Sequence, residues 1–176
     1  MLLFLCFSVY GQDANTISQD SINILIAKAE KLKEEYNYTE SLEYANIALT
    51  HAKLQDDQIS QGHIYNIIGY NYETNGELQK AVHNYEKALT YSKLSDEKRL
   101  QIESYNTLAK IYARQDTSFS KAIKYYDESF KLAVNLRDTF EMITPLLNTA
   151  ELYLDAGQYT LAVSYTHLTL PTTPYV

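Results

Sequence analysis

Only one cysteine, Cys6, occurs among the 176 residues, so the chain can close no disulfide on itself and offers no thiolate pair to a metal. Tryptophan is absent. The five glycines are scattered at 11, 62, 69, 76 and 157, which excludes a glycine-rich phosphate loop. Lys and Arg never cluster, and the formal charge of −7 argues against nucleic acid or an anionic membrane as the main partner. The apolar run from Leu2 to Tyr10 is about half of the roughly 20 residues that a membrane-spanning helix needs. No serine stands in a nucleophile-elbow context. His51, His63 and His83 show no metal-ligand spacing and read as surface residues. Glu34-Glu35 and Asp56-Asp57 read as solvated carboxylates, and the glycosylation-like Asn37-Tyr38-Thr39 places Tyr38 at a core position. These absences predict a non-enzyme with no cofactor and no metal.

What the chain has is spacing. Tyr65, Ile68, Gly69 and Tyr72 fall at i, i+3, i+4 and i+7, one face of a helix. Asn75-Gly76 then signals a turn, and Ala81, Tyr85 and Ala88 mark one face of a second helix. The order recurs as Tyr105, Leu108, Ala109 and Tyr112 followed by Ala122, Tyr126 and Ser129. It recurs again as Leu146, Thr149, Ala150 and Tyr153 followed by Gly157, Tyr159 and Ala162. Upstream, Leu25, Ala29 and Leu32 precede Tyr38, Ser41, Ala45 and Ala48, a weaker copy with Lys28 at a core place. The first large position therefore stands at 25, 65, 105 and 146, a step of 40 or 41 residues. Small residues let paired helices approach. Tyr65, Tyr72, Tyr85, Tyr112, Tyr126 and Tyr153 read as packing around them, with hydroxyls that need partners or an exit to water.

This succession of large–x–x–large–small–x–x–Tyr helix, turn, and Ala–x–x–x–Tyr–x–x–Ala helix resembles the tetratricopeptide repeat over residues 21–162. The resemblance implies an all-α fold in which antiparallel helical hairpins stack into a right-handed superhelix, with repeats at 21–54, 61–95, 101–136 and 142–162. The family's usual step is about 34 residues. The surplus here predicts longer helices, with linking loops at Ser95-Asp96 and Arg137-Asp138. Such long-period arrays resemble those of bacterial peptide-responsive regulators and the sensor regions of some histidine kinases.

In that family the first helices line a concave face that holds a protein or peptide. By spacing, that face carries Asn66, Tyr70 and Glu73, then Asn106, Lys110 and Arg114, then Asn148, Glu151 and Asp155. An asparagine row offers donors and lone pairs to an extended backbone; Lys110 and Arg114 suit a carboxylate, and the acidic residues a basic side chain. The family's two-carboxylate clamp is not matched, because both cations come from one repeat.

The two ends read differently. Residues 1–11 resemble an export signal, with Val9 and Gly11 suited to the −3 and −1 positions of a cleavage site and residues 12–20 as a linker, although no Lys or Arg precedes the apolar run. This predicts a protein of the periplasm or envelope of a Gram-negative bacterium. At the other end the repeat pattern stops at Ala162, and residues 163–176 resemble a translated sequencing adapter, which predicts a non-native tail and a truncated parent. Threonines and Pro171 and Pro174 make that tail a poor helix. Three functions remain open: the input region of a signalling protein such as a sensor histidine kinase, a stand-alone exported scaffold, or the N-terminal region of another multidomain enzyme.

Overall fold

The computed structural model describes residues 17–114 and 118–168, with side chains as far as Tyr165. The signal-like segment 1–11, most of the linker and residues 169–176 lie outside the described residues. Among those described there are eight helices and no strand: α1 (Gln19–Glu34), α2 (Tyr38–Leu54), α3 (Gln58–Thr74), α4 (Leu78–Leu94), α5 (Lys98–Ala113), α6 (Phe119–Leu136), α7 (Thr139–Asp155) and α8 (Tyr159–Leu168). Each helix packs on the next in sequence, and the odd-numbered helices also touch one another in series, α1 on α3, α3 on α5 and α5 on α7. The result is a row of antiparallel hairpins whose odd helices form one face.

Repetition extends to the turns. Tyr36, Asp56, Gly76, Asp96, Arg137 and Gly157 all adopt left-handed backbone, with φ between 52° and 79°. After each, the next amide donates back to the carbonyl five residues earlier: Asn37 to Leu32, Asp57 to Ala52, Glu77 to Tyr72, Glu97 to Ser92, Asp138 to Ala133 and Gln158 to Tyr153. This motif satisfies helix-end carbonyls and turns the chain into the following N-cap. The Asp57 and Asp138 side chains accept from Ser60 and Glu141 amides at 3.1 and 3.3 Å. Helices of 16 to 18 residues from α1 through α7 absorb the long step, and Asp96 and Arg137 sit at the expected loops.

Packing follows a size rule. Ser41, Ala81, Ala122 and Ala162 occupy equivalent places in the even helices, and all are buried. Gly69 lies against Tyr85 so closely that an added Cβ would stand 2.8 Å from the ring, and one at Gly62 would stand 2.7 Å from Leu100. One buried cluster joins α1 to α4 and a second joins α4 to α7, so neighbouring repeats share their cores. Two buried polar joints add to this, the first of them repeated. Gln61 and Gln101 donate to the carbonyls of Ala52 and Ser92 at 3.4 and 2.9 Å. Asn71 donates to Ser41 at 3.0 Å, and Ser41 to the Ala29 carbonyl at 2.8 Å, all buried.

The structure corrects the sequence reading in four places. Lys28 is exposed, with its ammonium 5.9 Å from the Tyr44 ring, and Leu25 is half-buried; Ile22 takes the fully buried place on α1. Among the described residues no helix precedes α1 to cover its outer side. Tyr38, Tyr72 and Tyr153 are half-buried, while Tyr65, Tyr85, Tyr112 and Tyr126 are buried. The 12–20 linker gives way at Gln19, where Ser18 caps α1 by accepting from the Ser21 amide. Finally, helix continues past Ala162 to Leu168. Threonine costs a helix only tenths of a kcal/mol, roughly 0.5. The packing of Tyr165 on Tyr153, ring centres 5.4 Å apart, outweighs it.

Candidate functional site

The odd helices present residues of their middle and last turns to a shared concavity because an i, i+3/i+4, i+7 pattern leaves one stripe uncommitted to the core. Three spaces open along it. The first, about 650 Å³ and continuous with solvent, lies among α1, α3 and α5 and is lined by Glu30, Lys33, Asn66, Tyr70, Glu73 and Lys110, with His63, Glu103 and the Tyr85 hydroxyl. The second, about 1100 Å³, lies between α5 and α7 and includes Asn106, Lys110, Arg114, Asn148, Glu151 and Asp155. The third, about 890 Å³, is bordered by His63, Arg99, Glu103, Asn106, Thr107 and Glu141. All nine residues placed on the concave face by spacing line the first two spaces, and Lys110 lines both.

Two of the nine neutralise each other. Glu73 accepts from the Tyr85 hydroxyl at 3.0 Å and from Arg114 at 3.4 Å, tying α3, α4 and the end of α5 together. Burial and the Glu73 carboxylate push the Tyr85 phenol far up, so it stays protonated and donates. Arg114 is thus committed within the chain. Among the described residues Lys110, Glu151 and Asp155 make no ion pair. Tyr126 is pushed up to about 12 by burial, with a hydrogen bond from Asn148 working the other way. Tyr126 and Asn148 both line the second space.

Register breaks in the last repeat. Asn66 and Asn106 are one step apart, and the next step falls on Leu147, which is 59% exposed. Asn148 instead shares the place of Thr107. Asn66, only 8% exposed, has a carbonyl oxygen without a hydrogen-bond partner, and so does Asn106. Unpaired acceptors in such positions carry a desolvation cost of about 1–3 kcal/mol that a donor would relieve.

Spacing missed Glu30, Lys33, His63, Glu103 and Thr107. Glu30 and Lys33 are one step of 40 before Tyr70 and Glu73, so the first repeat held the signal despite its weak core. His63 and Glu103 stand two residues before the large Tyr65 and Tyr105, a position that faces the groove and not the core. Glu103 is exposed to solvent, yet the surrounding concave walls raise its pKa, with Glu30 and Glu141 adding to the rise and His63 and Lys33 opposing it.

No group of three His, Cys, Asp or Glu side chains suited to a metal occurs among the described residues, and no described helix is long and apolar enough to cross a membrane.

Comparison with known proteins agrees with this geometry. Residues 62–93, from within α3 to the end of α4, match the family model described as tetratricopeptide repeat. The fold is similar to that of a Podosopora anserina protein assigned as a kinesin light chain with nearly identical TPR-like repeats: TM-score 0.64, 15% identity, covering 85% of this chain and 73% of that one. No curated protein matches the sequence.

Proposed function

From the premise that this is an all-α superhelix of tetratricopeptide-type repeats, an architecture that generally serves protein interaction, we propose that the concave face binds an extended peptide segment of a partner protein. The observation that carries this reading is the pair of unpaired asparagine carbonyls, at Asn66 and Asn106, set one repeat apart along a continuous polar concavity. Extended backbone presents N–H donors at regular intervals, and it is a ligand that such acceptors fit without demanding a side-chain sequence. Lys110, between the two spaces, suits a carboxylate, and Glu151 with Asp155 suits a basic group. A wide concavity of this kind holds a segment and lacks the closed apolar pocket of a small-molecule site.

Selection from a random peptide phage library tests it. The chain should enrich specific peptides, and Asn66→Ala/Asn106→Ala/Lys110→Ala together should abolish that enrichment while helicity by circular dichroism is unchanged. Enrichment that survives the triple substitution places binding elsewhere and sinks the groove reading.

We further propose that this module is the exported input region of a larger signalling protein. The support is sequence alone: the leader-like residues 1–11 and the 40-residue step. Residues 1–20 fused to alkaline phosphatase should give activity that depends on Val9 and Gly11. An inactive fusion would overturn export, and with it both the input-region reading and the exported-scaffold alternative.

A further inference from the structure

Glu103 lies where the first and third spaces of the groove meet, and it lines both. Asn66 lines the first, and Asn106 the third. Asn106 is three residues beyond Glu103 on α5, hence on the same helix face. Three acceptors therefore border these adjoining spaces: one carboxylate and two amide carbonyls, the carbonyl oxygens buried and each without a donor.

Among the described residues nothing satisfies that carboxylate. It makes no ion pair or hydrogen bond there, although charged groups lie around it; only the Glu103 backbone carbonyl is bonded, by the Thr107 hydroxyl. Lys33 of α1 holds its ammonium over the Tyr70 ring, 5.3 Å from the centroid. Arg99 of α5 is bound to Asp138 at 2.7 Å and to Glu141 at 3.7 Å. Lys110 lines the first space from two turns further along α5 and forms no ion pair with Glu103. His63 faces it from α3, and Glu30 and Glu141 add negative charge from α1 and α7. Glu73, another acid of the first space, is already held by Arg114 and Tyr85.

We propose that Glu103, with the carbonyls of Asn66 and Asn106 on either side, is a subsite for an arginine side chain of the bound peptide. The inference rests on the peptide-binding reading above and adds the chemistry of one ligand residue. Guanidinium carries five donors and no acceptor, which suits a carboxylate flanked by amide carbonyls and not ion-paired within the described residues. An uncompensated carboxylate in a partly desolvated concavity gains more from a cation than an exposed one does. The upward pKa of Glu103 records the same unmet need.

The test is a nuclear magnetic resonance titration that follows the side-chain amides of Asn66 and Asn106. The probes are acetyl-Gly-Ser-Arg-Ser-Gly-amide, the same peptide with neutral citrulline, and the same with glutamate. The arginine peptide should shift both amides and bind at least tenfold more tightly than the citrulline peptide. Glu103→Gln, a substitution at a solvent-exposed side chain that preserves shape, should erase that preference. Equal shifts from arginine and citrulline peptides overturn the subsite while leaving the groove reading standing. So does an arginine preference that persists in Glu103→Gln. If no probe shifts either amide, the subsite is overturned, and the phage selection alone decides whether the groove binds peptides.

Discussion

Helices α3 and α7 are built on one template, yet they are buried by different rules. On α3 the polar Gln61, Asn66 and Asn71 are 3%, 8% and 0% exposed. On α7 the apolar Phe140, Leu147 and Leu154 are 79%, 59% and 49% exposed. Hydrophobicity does not explain this inversion; position in the row does. Helix α3 has neighbours on both sides, α1 and α2 before it and α4 and α5 after it, whereas among the described residues α7 is flanked by α5 and α6 on one side and α8 alone on the other. Helix α7 also contains Pro145, which lacks the amide that would bond the Glu141 carbonyl. In a stacked array, burial belongs to the interface and not to the single repeat.

The sharpest way to break the comparison is truncation at equivalent depth in the array. Tyr85→Ala removes a fully buried ring from against α3 and should cost about 3–5 kcal/mol. Leu147→Ala should change stability by no more than about 0.5 kcal/mol. Urea unfolding followed by circular dichroism measures both, and similar midpoints for the two variants would show that α7 is covered after all.

Glycines sharpen it next. Gly69→Ala places a methyl 2.8 Å from a buried ring, an overpacking of about 1–3 kcal/mol that exceeds the roughly 1 kcal/mol gained in helix propensity. At Gly157 nothing lies within 4 Å of the added carbon, but φ is +69°. Gly157→Ala should therefore lose about 1–2 kcal/mol through backbone strain alone. Asparagine at 157 should recover part of that loss, and asparagine at 69 should recover none, because only the first site is a conformational problem.

Arg137, at φ 55°, leads the chain into α7 in the conformation that Gly76 supplies after α3. Arg137→Gly should raise stability by up to about 1 kcal/mol, read as a rise in melting temperature. A fall would mean that the Arg137 side chain contributes more than its backbone costs.

The smallest effect concerns the groove carboxylate. Glu103 has a folded-state pKa above its ordinary value of 4.5, so the folded chain binds the proton more tightly than the unfolded chain. Stability then falls as pH rises from 4.5 through the raised folded value, and the penalty is complete above it. Glu103→Gln should melt slightly higher than the parent at pH 7 and at the same temperature below pH 4. A variant that melts lower at pH 7 would show Glu103 to be satisfied within the chain.

Much of this was legible because packing and turns leave local marks. The pairing of Gly69 with Tyr85, the small residues at 81, 122 and 162 and the 40-residue step identified hairpins, since two helices can approach closely only where side chains are small. Nine groove residues followed from the same spacing. Other features left no local mark. Left-handed backbone at Tyr36 and Arg137 was hidden, because those residues do not favour it and only the helix-end hydrogen bonds impose it. Likewise, the threonines after Ala162 argued for a helix stop that the contact of Tyr165 with Tyr153 overrides.

By itself, then, the sequence determined the hairpin, its step and the face of each odd helix that stays out of the core, because these depend on the size and spacing of neighbours along the chain. Tertiary structure alone decided which groups on that face are spent and which remain open. Arg114 and Glu73 cancel across 41 residues, while Asn66, Asn106 and Glu103 border adjoining spaces with both amide oxygens unpaired. Charge and hydrogen-bond partners act through space over a few ångströms, and the order of residues along the chain does not encode that distance until the repeats are stacked.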